Sequence, residues 1–140
     1  MSKKEKTKRD IRIFLSYARE DRNKAEQVIK QLATQPNIHV FTVNQMSAGE
    51  NWKDRIKKEL AKSDFFLVLL SPASIRSKWV QLELGAAWGL DKFIIPIVTS
   101  RDLVSKLPLE FTGTPVVDME YLKRPEGLNQ IMELYEQTAA

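Results

Sequence analysis

The sequence predicts an α/β fold: a five-stranded parallel sheet with helices on both faces. Three observations carry that expectation. Short apolar runs alternate with amphipathic helical stretches along the chain. One run, Phe65 to Leu70, is apolar at every position, as in a strand covered on both faces of a parallel sheet. The length, 140 residues, suits one domain that buries roughly 68–70% of its unfolded surface without a disulfide or metal.

The elements follow in order. Ile11-Arg12-Ile13-Phe14-Leu15 is too short for a helix and rich in strand formers. Asp21 opens a stretch with Ala25, Val28, Ile29 and Leu32 at i, i+3, i+4, i+7 and charges elsewhere, which predicts a helix. Gln35-Pro36-Asn37 breaks it, and Ile38 to Phe41 reads as a second strand. A polar loop, Thr42 to Asn51, leads to a charged helix from Trp52 to Ala61 with Ile56 and Leu60 inward. Ser71-Pro72 ends the third strand, and Ser77 is placed to cap a helix running to about Gly89. Phe93 to Val98 is the fourth strand, one turn is expected at Leu103–Leu107, and Val116-Val117 is a short fifth strand. Pro125 starts a final helix whose Leu128, Ile131, Met132 and Tyr135 share a face. Five strands in this alternation predict a flavodoxin-like order, 2-1-3-4-5, with ligands beyond the carboxyl ends of the strands.

Charge narrows the function. The formal net charge is +4, from 22 Lys and Arg against 18 Asp and Glu. Residues 1–9 hold Lys3, Lys4, Lys6, Lys8 and Arg9 against Glu5, so the rest of the chain is neutral. Residues 1–10 are therefore expected to be a basic flexible tail and 11–140 the domain. Outside the tail, bases are balanced by acids and not interleaved with aromatics, which weighs against nucleic acid. There is no cysteine and no apolar run near the ~20 residues of a membrane span, and the N-terminus lacks a signal-peptide pattern. A cytoplasmic protein with no membrane partner is the expectation.

Several chemistries lack their residues. Neither GxGxxG nor GxxxxGK[ST] follows a strand, and no GxSxG elbow is present. His39, the single histidine, lies within a strand, where a structural or surface role is expected. No histidine pair or acidic cluster has metal-ligand spacing, so no metal is expected.

One helix stands apart. From Ser77 to Leu90 the apolar residues Trp79, Val80, Leu82, Leu84, Ala86, Ala87, Trp88 and Leu90 cover almost the whole circumference, which predicts burial all round. Glu83 sits in the middle, with Trp79 one turn earlier on the same side. A carboxylate there is either paired with an arginine, open to solvent, or held at the rim of a ligand cleft.

Five segments together resemble the TIR (Toll/interleukin-1 receptor) domain family, from Ile11 to about Leu134. Ile11 to Tyr17 is similar to the family's opening strand with its Ser-Tyr end, and Asn44 to Trp52 to its BB loop. Ser63-Asp64 through Pro72 is similar to the third strand, Ser77 to Leu84 to the next helix, and Ile94-Ile95-Pro96-Ile97 to the fourth strand. Trp79-x-x-x-Glu83 reproduces the arrangement found in the NAD-cleaving subset, and the style is similar to bacterial members of anti-phage defence or effector systems. The resemblance implies Glu83 as the catalytic carboxylate and NAD as substrate, with no cofactor. It implies nicotinamide plus ADP-ribose or a cyclic ADP-ribose isomer as products. It places Trp79, Tyr17, Ala18, Arg19, Ser47, Trp52 and Ser71 at the substrate. It also implies self-association through contacts that include the loop Asn44–Asn51, and a sensor domain or protein outside this chain.

For three of these residues a plainer role stays open: a surface charge for Arg19, helix packing for Trp52, turn chemistry for Ser71. The sequence departs from the family at Thr42-Val43-Asn44, where many members carry Asp, and at Ser47, where a Glu occurs. Two other functions remain: a non-catalytic TIR–TIR interaction module, and a nucleoside deoxyribosyltransferase-like enzyme.

Overall fold

The computed structural model describes residues 9–43, 49–107, 111 and 115–139. Five strands form one sheet in the order β2-β1-β3-β4-β5: β1 (Ile11–Ser16), β2 (Ile38–Phe41), β3 (Phe65–Leu70), β4 (Phe93–Val98) and β5 (Val117–Asp118). All four pairings are parallel. The helices are α1 (Arg22–Leu32), α2 (Trp52–Lys62), α3 (Pro72–Arg76), α4 (Lys78–Gly89), α5 (Met119–Leu122) and α6 (Pro125–Ala139). Among the described residues no helix is long and apolar enough to cross a membrane.

Side-chain alternation along β1 divides the core. Ile13 and Leu15 face one layer, with Ala25, Val28 and Leu32 of α1 and Leu128, Ile131 and Tyr135 of α6. Phe14 faces the other, with Ile56 and Leu60 of α2 and Val80 and Ala87 of α4. β3 is buried at all six positions, as its unbroken apolar run requires. The chain leaves β1 toward β2 on one side and β3 on the other. The crevice of the fold therefore opens between β1 and β3 at their carboxyl ends.

The structure differs from the sequence expectations in five places. α3 occupies what reads as a turn, because Ser71 and Ser74 form a reciprocal capping box with Pro72 at the first helical position. α5 is too short to show periodicity and is started by Asp118, whose side chain accepts from Glu120 N. The turn expected at Leu103–Leu107 is a 3-10 helix over Arg101–Lys106, and β5 lies one residue later than read. The largest correction concerns α4, which is not buried all round: Leu82 is 55% exposed, Trp88 52% and Leu90 47%. One arc of α4 packs on the sheet, and among the described residues no further layer covers the other. Hydrophobic composition marks a helix as apolar without saying how many layers surround it.

One glycine is fixed by packing. A Cβ at Gly127 in α6 would stand 2.2 Å from the carbonyl oxygen of Tyr121 in α5. Gly127→Ala must force these two helices apart, and we expect it to cost about 2–4 kcal/mol, read as a lower urea midpoint at unchanged slope.

Candidate active site

Parity on β1 builds the site. Ser16 is two residues beyond Phe14 and so projects toward the layer of α2 and α4. Ser77 caps α4 by accepting from Val80 N at 3.2 Å, which sets the helix phase. That phase puts Val80, Glu83 and Ala87 on the buried arc. Ser16 Oγ then donates to Glu83 Oε1 at 2.7 Å across the crevice.

Glu83 is 1% exposed, and its Oε2 is a buried oxygen without a hydrogen-bond partner among the described residues. Neither an arginine pair nor an opening to bulk solvent accounts for it. Burial pushes the carboxyl up from 4.5 to about 7, and the Ser16 hydrogen bond pulls in the opposite direction. The group is therefore poised between its two protonation states at neutral pH, the condition expected of a carboxylate with a chemical task.

A cleft of about 200 Å³ reaches this carboxyl, lined by Leu15, Tyr17, Arg19, Arg22, Val43 and Glu83. It is smaller than the roughly 300–1,000 Å³ of complete ligand pockets, enough for a ring or a sugar. A larger groove of about 600 Å³ opens at the amino ends of β1 and β2 beside α6, away from Glu83. Size alone does not locate the chemistry. Glu83 joins two arginines at the carboxyl edge of the sheet, a combination suited to an anionic ligand with an electron-poor centre. Among the described residues no group of three His, Cys, Asp or Glu could hold a metal.

The other described residues singled out from sequence fall into three groups. Tyr17 and Arg19 line the cleft with Glu83. Ala18 is buried beneath them, and Ser71 donates to the buried Asp21 carboxylate while its oxygen caps α3. Ser71 thereby ties the segment carrying Arg19 to the start of α3. Trp79 and Trp52 meet each other, with ring centroids 5.2 Å apart and tilted by 51°. Ser47 lies outside the described residues, as does most of the loop Asn44–Asn51.

Sequence reasoning passed over Ser16 and Arg22. The signal for Ser16 was available in its parity with Phe14, and that for Arg22 in its place at the first turn after β1. Nothing in the sequence marks Asp21 as buried.

A family model described as TIR domain matches residues 13–132. The chain belongs to the TIR domain family. A comparison with curated proteins finds no match. Solved structures similar to this TIR domain include that of a Toll-related receptor from Hydra magnipapillata, with TM-score 0.71 and 19% identity, covering 89% of this chain and 97% of that one. The TIR domains of the activated Roq1 resistosome recognising the pathogen effector XopQ align with TM-score 0.57 and 21% identity, over 75% and 68% of the two chains. A CMP N-glycosidase from Clostridium botulinum aligns with TM-score 0.55 and 17% identity, over 89% and 99%. Identities of this size speak to the fold.

The raised pKa of Glu83 has a consequence for stability. A folded-state pKa above the unfolded value means that the folded chain holds its proton more tightly. The contribution is fully present below about 4.5 and lost as pH rises through about 7. Above pH 7 the ionised carboxylate costs the fold about 3 kcal/mol at 1.36 kcal/mol per unit. Glu83→Gln, which keeps an acceptor for Ser16, should therefore stabilise the TIR domain by up to about 3 kcal/mol at pH 8 and hardly at all at pH 4. Urea unfolding at the two pH values measures this.

Proposed function

We propose that this TIR domain is an NAD glycohydrolase that breaks the bond between nicotinamide and ribose, with Glu83 as its catalytic carboxylate. The observation that carries the reading is the buried Glu83 Oε2, without a hydrogen-bond partner among the described residues, on a side chain that lines a cleft. A carboxylate costly to the fold and aimed into a cavity fits a role in stabilising positive charge.

The chemistry needs one such group. Nicotinamide is bound to ribose as a cation and leaves as a neutral base when the C1′–N1 electron pair departs with it, so no general acid is required. This removes one of the two carboxylates that glycoside hydrolysis ordinarily uses. The electron-poor C1′ left behind is oxocarbenium-like, and ionised Glu83 would oppose its charge and accept hydrogen bonds from ribose hydroxyls. Water capture gives ADP-ribose and a proton; capture by the adenine of the same molecule gives a cyclic isomer. Arg19 and Arg22 suit the diphosphate that extends beyond a cleft of this size. Trp79 and Trp52 supply a paired aromatic wall for a substrate ring where the assembly completes it.

Two structural relatives support the class of chemistry and its control by analogy of fold. One is named for cleaving an N-glycosidic bond of a nucleotide, and the other is a TIR assembly. Our reading gives the domain activity gated by self-association, with the loop Asn44–Asn51 contributing to the contact. It places the domain in the bacterial cytoplasm, in an immune-signalling role such as anti-phage defence or as an effector. A second reading, an interaction module without turnover, draws on the uncovered apolar arc of α4.

Nicotinamide release from NAD at high protein concentration or with a crowding agent separates the two. Glu83→Ala should lower the rate by about 10²–10³ or more. Equal slow release by wild type and variant would leave the interaction module, and cleavage of deoxynucleosides or CMP in place of NAD would reassign the substrate.

The pH profile is a second test. Because the ionised form is the active one, kcat/KM should rise through about 7 and level off above it. Ser16→Ala removes the hydrogen bond that favours ionisation and should move that midpoint to higher pH.

A further inference from the structure

The two helical layers differ in what they show to solvent. Among the described residues the exposed large apolar side chains are Trp52, Leu82, Trp88, Leu90 and Val104. All of them lie on the layer of α2 and α4, or on the 3-10 helix that Leu103 anchors to it. Charge divides the same way. Helices α2, α3 and α4 carry seven lysines and arginines against three acids, one of them the buried Glu83. Helices α1, α5 and α6 carry three against five. Scattered exposed apolar side chains are ordinary, but their coincidence with positive charge on one face marks a contact surface.

Helix phase makes that coincidence a continuous face. At 100° per residue, Lys58 stands opposite the buried pair Ile56 and Leu60, with Lys62 about 40° to one side and Asp54 about 40° to the other. On α4, Gly85 stands opposite the buried arc of Val80, Glu83 and Ala87, flanked by Leu82 and Trp88. Nothing lies within 4 Å of the place a Cβ would take at Gly85 or Gly89, so Leu82 and Trp88 rise above a low stretch of helix. The two helices cover one side of the sheet and touch through Trp52 and Trp79, so both outer arcs turn the same way.

The acids of this layer are largely engaged. Glu50 and Glu59 bind Arg55, Asp54 is bonded to Asn51, and Asp91 lies past the end of α4 in a left-handed turn. Lys57, Lys58 and Lys78 make no ion pair among the described residues.

We propose that this face docks on an anionic lipid surface, with Leu82 and Trp88 entering the boundary between headgroups and acyl chains and the lysines of α2 lying over the headgroups. Three features select lipid. With Arg55 held by its two glutamates, the cations that α2 and α4 present are lysines, point charges suited to a diffuse negative surface. Protein interfaces favour arginine and are depleted in lysine. The apolar members are mostly aliphatic and stand on convex helix backs outside both clefts, whereas nucleic acid asks for aromatic rings among the cations.

The contact is peripheral and reversible, and so needs no helix able to cross the bilayer. The proposal does not rest on NAD cleavage. The cleft at Glu83 is lined by none of the side chains assigned to the lipid.

Flotation of the full chain with lipid vesicles tests it without reference to turnover. Half-binding is expected at roughly 0.1–1 mM accessible lipid when about 30% is phosphatidylglycerol, with little binding to phosphatidylcholine alone. Raising salt from about 0.05 M to about 0.5 M should weaken it at least about tenfold. Trp88→Ala and Leu82→Ala should each weaken binding about threefold or more, and Lys58→Glu combined with Lys62→Glu about tenfold or more. Thermal midpoints should hold, because all four side chains are exposed. A chain with Lys3, Lys4, Lys6 and Lys8 changed to glutamine should still float and still depend on Trp88.

No flotation with anionic vesicles, flotation indifferent to Trp88, Leu82 and the two lysines, or flotation abolished by neutralising the four N-terminal lysines would each overturn the proposal. So would lysine-dependent flotation that ignores Trp88 and Leu82 and is matched by heparin binding, which would make a polyanion such as nucleic acid the occupant.

Discussion

An unpaired carboxylate is among the most expensive groups a protein can bury, and the carboxyl edge of this sheet is organised around one. Ser16 donates to one oxygen of Glu83, and the other is buried without a hydrogen-bond partner among the described residues. That hydrogen bond joins the end of β1 to α4. It also offsets part of the burial that drives the pKa upward. A second donor would have made Glu83 a stable structural ion pair or hydrogen-bonded cap. An apolar residue there would have been cheaper still.

The rest of the site serves that constraint. β3, buried on both faces, is the rigid neighbour against which β1 ends. Ser71 caps α3 and binds Asp21, so the loop bearing Tyr17 and Arg19 is anchored to the segment leading into α4. The Trp52–Trp79 contact ties the start of α2 to the first turn of α4. Glu83 is thus approached from three elements, each fixed by a cap, a ring contact or a hydrogen bond. The cleft between them is small because those elements are close.

The architecture was legible because its signals are local. The six-residue apolar run of β3 and the heptad-like spacing in α1 each depend on nothing distant, and Pro125 and Ser77 mark helix starts by their own chemistry. Glu83 was legible as an anomaly, a charge among apolar neighbours, but its partner was not. The Ser16–Glu83 bond joins residues 67 positions apart, and only strand parity combined with helix phase brings them together. The same limit explains α4. Its apolar circumference read as complete burial, yet the sheet covers one arc and the other is exposed. Short elements such as α3 and α5 are set by side-chain caps, which periodicity does not register.

The ionisation of Glu83 is the property on which the account turns. Carbon-13 NMR of the Glu83 side-chain carboxyl, titrated in the folded domain, reads it without any assumption about substrate. A midpoint near 7 that moves upward in Ser16→Ala is the expected result. A midpoint near 4.5, unmoved by Ser16→Ala, would mean that the carboxylate is neither dry nor held by Ser16, and would contradict the site described for it.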